Sequence, residues 1–304
     1  MSSSSVRPAG ASRGSRAYDL RCMEIVGGNR AFHDRISSPG MDIWVHCRPA
    51  EGNVGGDIHY FSMCGSGRVM RLAVADVAGH GPGIQHIARW LRRRMRRYIN
   101  LLDQTRFARA INMEFSRRHA KEGRFATVLL GTYFAPTDHF IVCNAGHPPP
   151  LWFSTVLGKW QRLTPEAADP GPPIVRARAT YRLARVSNLP LGVVRPTEYH
   201  QFAVHLYPGD MLLVYTDGLA EARSSRGEML GDEGLLRIVR GIPPGDPAAF
   251  GRALLAEVDR FRDGGPLTDD ETLIVLYHNA SDPPAMTLGQ AVRSLARMIG
   301  LSRV

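Results

Sequence analysis

Apolar, strand-like runs in this chain repeatedly meet an aspartate set beside glycine or a second acid. Gly55-Gly56-Asp57 leads into a run at 59–63, and the run at 69–75 feeds Asp76-Val77-Ala78-Gly79-His80-Gly81. Met211–Tyr215 feeds Thr216-Asp217-Gly218, and Asp269-Asp270-Glu271-Thr272 opens a run at 273–277. A strand holds a carboxylate at fixed depth, while the adjoining loop leaves room for a cation. Several carboxylates in one cleft suit hard divalent ions, which take oxygen ligands. Without a cation such a cluster repels itself and raises its own pKa values. The fold must therefore bring several strand ends together, and the pattern reads as a metal site.

The order of elements narrows the fold class. A strand at 41–47 turns through 49–56 toward Asp57, and the next two strands are joined by a Gly65-Ser66-Gly67 turn. An arginine-studded helix follows Gly81. A second helix is expected from about 105 to 120, with Phe107, Ile111 and Phe115 on one face and Thr105 as N-cap. The runs at 125–135 and 140–145 flank a turn at 136–139 and read as a hairpin. Pro148-Pro149-Pro150 ends that pairing before an extended run at 151–153, and 166–178 reads as a loop or insertion. Asp246-Pro247 opens another helix as cap and first residue. Strands and helices come in groups, which predicts an α+β fold. No repeat or linker interrupts 18–280, so one domain is expected there, after a disordered Ser/Arg-rich tail at 1–17. A loop and short helix are expected at 281–304.

With 304 residues, 44% of them hydrophobic, the chain can bury a sizeable core. Every apolar run is interrupted well before the length of a membrane span, so no membrane role is expected. Cys22, Cys47, Cys64 and Cys143 form no Cys-x-x-Cys pair and read as reduced, buried thiols of a cytoplasmic protein. Much of the net charge of +10 is local: Arg89, Arg92, Arg93, Arg94, Arg96 and Arg97 fall in one stretch. Ile84, Ile87, Ala88, Leu91, Met95, Tyr98 and Leu102 run between them at helical spacing. Either that basic face is simply solvated, or the helix at 89–97 docks an acidic partner. Arginines beside an apolar stripe, with no nucleic-acid motif, argue against DNA or RNA as the partner.

Each acidic motif alone is weak, since Asp-Gly is common in turns and Asp-Asp is common in solvated loops. Taken in order they are specific. The order is Gly55-Gly56-Asp57, Asp76 to Gly81, Asn144-Ala145-Gly146-His147-Pro148-Pro149, Leu189-Pro190-Leu191-Gly192, Gly209 through Asp217 to Glu221, and Asp269 to Thr272. Over roughly 41–277 this series resembles the SpoIIE/RsbU-type branch of the PPM (PP2C-like) metal-dependent serine/threonine phosphatases.

The resemblance implies a PP2C-like antiparallel β-sandwich flanked by helices, with two Mn²⁺ or Mg²⁺ ions at one edge. It implies Asp57 and Asp76 at the core of the pair, Asp76 as the bridge, the Val77 carbonyl as a backbone ligand, and Asp217 and Asp269 as the remaining carboxylates. Asp270 ranks second to Asp269. Metal-bound hydroxide would attack a phosphoserine or phosphothreonine phosphoryl group directly. The implied substrate is a phosphorylated protein, such as an anti-sigma-factor antagonist in bacterial partner switching. The alternative is a catalytically silent phosphatase-fold adaptor that binds a regulatory partner.

Three positions stay open. His80 is either a general acid or a structural hydrogen-bonder. His147 is read as fixing the turn after the hairpin. Arg48 is the candidate to grip phosphate, against a role at the strand surface. The sequence also departs from the pattern at Tyr60, where relatives commonly carry an acid.

Overall fold

The computed structural model describes residues 18–20, 24–64, 67–79, 82–101, 103–119, 122–167 and 188–282. The expected tail at 1–17, Cys22, His80, most of the expected loop at 166–178 and residues 283–304 lie outside the described residues.

Thirteen strands form two sheets among these residues. The first sheet contains β1 (Tyr18–Asp19), β3 (Phe32–Ser38), β4 (Met41–Arg48), β9 (Leu151–Ser154), β10 (Lys159–Arg162), β12 (Met211–Tyr215) and β13 (Glu271–His278). Its order is β1-β3-β4-β13-β12-β9-β10. The second contains β2 (Ile25–Gly28), β5 (Ile58–Cys64), β6 (Val69–Val77), β7 (Ala126–Phe134), β8 (His139–Ala145) and β11 (Gln201–His205), in the order β11-β8-β7-β6-β5-β2. Every pairing is antiparallel except β1 with β3.

The helices are α1 (Pro82–Tyr98), α2 (Gln104–His119), α3 (Asp217–Ala220), α4 (Gly231–Arg240) and α5 (Pro247–Arg262). Helices α1 and α2 cover the second sheet, and α4 and α5 cover the first. The expected α+β sandwich flanked by helices is therefore what the chain forms.

Three apolar cores follow from these four layers. Ile43, Val45, Phe61, Leu72, Val74 and Tyr133 fill the space between the sheets. The stripe Ile84, Ile87, Leu91 and Met95 seats α1 on Ile58, Tyr60 and Ala73. Phe250, Leu254 and Val258 seat α5 on Leu213 and Val275. Each such side chain, fully buried, contributes about 1.5–3 kcal/mol before entropy is counted. The central strands β5, β6 and β12 are buried on both faces, and β12 accordingly runs apolar without alternation.

One expected cap moves. Thr105 lies inside α2, and the Asp103 carboxylate caps it instead, accepting from the backbone N–H of Thr105 at 3.0 Å and of Arg106 at 3.1 Å. The earlier residue brings a charge that the helix N-terminus favours. At α5, Asp246 caps as expected, accepting from the Ala249 N–H at 2.7 Å. Among the described residues no helix is long and apolar enough to cross a membrane.

Candidate metal centre

The β-ladders gather the acidic motifs at one end of the sandwich. Ile58 pairs with Ala75, so Asp57 and Asp76 are the next opposed positions of that ladder. Asp76 is in turn paired with Thr127 on β7. In the other sheet Tyr215 pairs with Leu273, and the Thr216 N–H donates to the Thr272 carbonyl at 3.1 Å. That register sets Asp217, the first residue of α3, beside the Asp269-Asp270 turn. A cleft of about 230 Å³ opens here, lined in part by Gly55, Gly56, Gly79, Ile84, Asp269 and Asp270.

The cleft wall leaves little room for side chains. A side chain at Gly55 would collide with the Asp270 carboxylate, and one at Gly56 would come within 3.3 Å of the Val77 carbonyl oxygen. Asp270 is held by the backbone N–H of Ala50 at 2.8 Å and by that of Gly56. Its own N–H donates to Asp269 Oδ1 at 2.7 Å.

The carboxylates act on one another. Burial raises the Asp76 pKa well above the usual carboxylate range, and the charges of Asp57, Asp217, Asp269 and Asp270 push it further. Burial also raises Asp57, opposed by hydroxyls of Thr272 and Thr216 and reinforced by Asp270 and Asp217. Asp217 is pushed up to about 6 by burial, then by Asp269 and Glu221. No cation is among the principal influences on these three groups.

Such a site fits hard divalent cations in kind: its donors are oxygens, Asp57 is buried and the others are half-buried, and carboxylate charge is the main charge acting on Asp57, Asp76 and Asp217. Among the described residues, however, no three His, Cys, Asp or Glu side chains are drawn close enough to hold one ion as they stand. Asp57 faces two threonine hydroxyls and Asp270 faces backbone amides, which accounts for two of the carboxylates.

The remaining sequence-predicted residues fall in different places. Val77 ends β6 next to Asp76. Arg48 lies 3.5 Å from Asp259 and 3.6 Å from Glu271, so an ion-pair cluster under α5 engages it. His147 fixes its turn as expected: Asn144 donates to its carbonyl at 2.8 Å and accepts from its N–H at 2.8 Å. Its ring reaches the Thr127 hydroxyl, 2.9 Å from Nδ1. Tyr60 is buried in the core under α1. The sequence reading missed Thr216 and Thr272, which flank the acidic motifs in Thr216-Asp217-Gly218 and Asp269-Asp270-Glu271-Thr272. Their signal was adjacency to a candidate ligand.

Two packed antiparallel sheets between helical layers, with acidic loops meeting at one end, define a PP2C-like phosphatase fold. The family model for Stage II sporulation protein E (SpoIIE) matches residues 66–168 and 165–279, and the chain belongs to that family. Phosphoserine phosphatase RsbU of Bacillus subtilis is 25% identical over 103 residues, 34% of this chain and 24% of that protein. The match thus spans about a quarter of that relative's length. The PP2C phosphatase domain of SpoIIE from Bacillus subtilis, solved with a fragment of its regulatory domain, superposes with a TM-score of 0.59 at 20% identity, covering 85% of this chain and 64% of that one. RsbX in complex with magnesium gives 0.55 at 15% identity, covering 81% of this chain and 99% of that one.

Proposed function

We propose that this chain is a metal-dependent phosphoserine/phosphothreonine protein phosphatase acting in bacterial partner switching on a phosphorylated protein such as an anti-sigma-factor antagonist. The observation that carries this reading is the mutual charge of Asp57, Asp76, Asp217, Asp269 and Asp270 at the end of a SpoIIE-family sandwich. The name of the RsbU relative supports the reaction, and the magnesium of the RsbX crystal structure supports the cofactor.

Two Mn²⁺ or Mg²⁺ ions would be held by Asp57, Asp76, the Val77 carbonyl, Asp217 and Asp269, with Asp270 behind them. When bound, such cations lower the pKa of a water and neutralise charge on phosphoryl oxygens. The chain's own part is to keep these carboxylates at fixed depth and to leave an opening beside Gly55 and Gly56. Arginines on the outer face of α1 would steer an acidic phosphoprotein toward that opening, a term that salt weakens.

Hydrolysis of p-nitrophenyl phosphate by purified protein, with and without Mn²⁺, tests the reading. Turnover should require the metal, and Asp76→Asn should lower it about a thousandfold or more, given the several kcal/mol a bound cation supplies at about 1.36 kcal/mol per tenfold in rate. Near-normal turnover by a folded Asp76→Asn protein would overturn the assignment.

A further inference from the structure

Behind the cleft, two threonines from separate motifs close on one carboxylate oxygen. Thr216 Oγ1 and Thr272 Oγ1 each lie 2.7 Å from Asp57 Oδ2, and all three residues are buried. Direction can be read from the donors. The Thr272 backbone N–H, which can only donate, points at Thr216 Oγ1 from 2.9 Å. That occupies an acceptor site of the hydroxyl and turns its proton toward Asp57. On the other side, Cys47 Sγ lies 3.4 Å from Thr272 Oγ1. That contact is much longer than the 2.7 Å from Thr272 Oγ1 to Asp57 Oδ2, so the single Thr272 hydroxyl proton is better placed for the carboxylate. Both donated protons go to Oδ2, and among the described residues no donor is bonded to Oδ1.

We infer that Thr216 and Thr272 are positioning residues that fix the orientation of Asp57 for a divalent cation, with Oδ1 as the oxygen presented to the site. Three chain segments meet in this clamp. Thr216 precedes Asp217, Thr272 lies in β13 just after Asp269 and Asp270, and Asp57 immediately precedes β5. Movement of any one of them is thereby felt at the other two. Hydrogen bonds to a ligand carboxylate favour its charged form and orient it, and removing such partners typically costs about 10–100-fold in metal affinity or activity. A hydroxyl-to-methyl exchange at either threonine conserves shape while removing one donor from a buried carboxylate.

This inference rests on the metal-centre reading, and one set of calorimetric Mn²⁺ titrations separates the two. Wild type, Thr216→Val, Thr272→Val, Thr216→Ser and Thr272→Ser are compared, each also melted in EDTA. The expected result is that each valine weakens Mn²⁺ binding about 10–100-fold while each serine stays within a few-fold of wild type. Wild-type binding matched by both valine variants would overturn the clamp and leave the metal centre standing. No Mn²⁺ binding by wild type would remove the metal centre and the clamp with it. Should one valine variant fail to melt cooperatively in EDTA, the other hydroxyl carries the same comparison. Loss of affinity in the serine variants as well would assign the threonines to packing, against the inference.

Discussion

The two helical layers of the sandwich handle charge in opposite ways. Helices α1 and α2 carry ten arginines against one acid, Glu114. Helices α4 and α5 carry five arginines against four acids. In the first layer much of the charge faces outward: Arg89, Arg93, Arg96 and Arg97 are exposed, and among the described residues Arg94 alone in α1 is ion-paired, with Glu114 at 3.0 Å. In the second, charge is drawn inward. Glu271 is fully buried on β13 and pairs with Arg262 of α5, while His46 lies 3.3 Å and Arg48 3.6 Å away. Burial pushes the Glu271 carboxyl up, yet His46, Arg262 and Arg48 outweigh it and hold the group below its ordinary range. One layer spends its charge on the surface, where it contributes little to stability and much to long-range attraction. The other uses charge as an internal fastening. The contrast leaves the arginines of α1 facing solvent and ties α5 to β13 just after the Asp269-Asp270 turn.

The largest effect should come from breaking the fastening. Arg262→Met leaves Glu271 buried beside Arg48, which is itself 40% exposed at its side chain. Stranding a buried charge costs about 3–5 kcal/mol, because desolvation is no longer offset by the partner. Urea unfolding should show that loss. A change below about 1 kcal/mol would mean that Arg48 and His46 suffice, and that α5 is held by its apolar face alone.

A second difference concerns groups kept neutral. On the side of the second sheet, burial lowers His59 to about 4 and His147 to about 3. The sign follows from the ordinary histidine value of about 6.5. Above it both states are neutral, and stability is unaffected. As pH falls from about 6.5 toward 3, the unfolded chain takes up a proton that the buried His147 ring refuses, so stability declines across that window. His147→Gln keeps polar atoms near Thr127 and removes the titration. Its unfolding free energy should fall less steeply between pH 7 and 5 than that of wild type. Equal slopes would show that His147 protonates in the folded state.

Much of this was legible in sequence, for physical reasons that differ by element. Met211–Tyr215 and the run at 273–277 read as strands because burial on both faces demands unbroken apolar residues. The α1 stripe read as a helix because its apolar spacing and arginines leave no other amphipathic solution. Strands β1, β2, β3, β10 and β11 were missed. Lys159–Arg162 is a short edge strand and Phe32–Ser38 is polar over most of its length, so pairing partners rather than their own side chains make them strands. Helix α4 was missed as well: Gly231 and Gly234 mask its periodicity. At the site, the aspartates were visible as motifs, but Thr216 and Thr272 were not. Their role depends on two strands of one sheet meeting the start of β5 in the other, which no local pattern encodes.

The smallest effect on stability should come from the basic layer, and it is the sharpest test of the contrast. Arg93 and Arg97 are exposed on α1, and neither forms an ion pair among the described residues; Arg97 lies 5.7 Å from the Tyr98 ring. Replacing both by glutamate should change unfolding free energy by no more than about 0.5 kcal/mol, as surface substitutions usually do. Hydrolysis of p-nitrophenyl phosphate should be unchanged, because that substrate needs no docking face. Turnover of an acidic phosphoprotein should fall, and the difference from wild type should shrink as salt rises and the Debye length contracts from about 10 Å at 0.1 M to about 3 Å at 1 M. Equal losses on both substrates would place α1 in support of the cleft through Ile84, which packs against Gly79. No loss on either would mean that the arginines are only a solvated face, and the two layers would then differ in composition without differing in role.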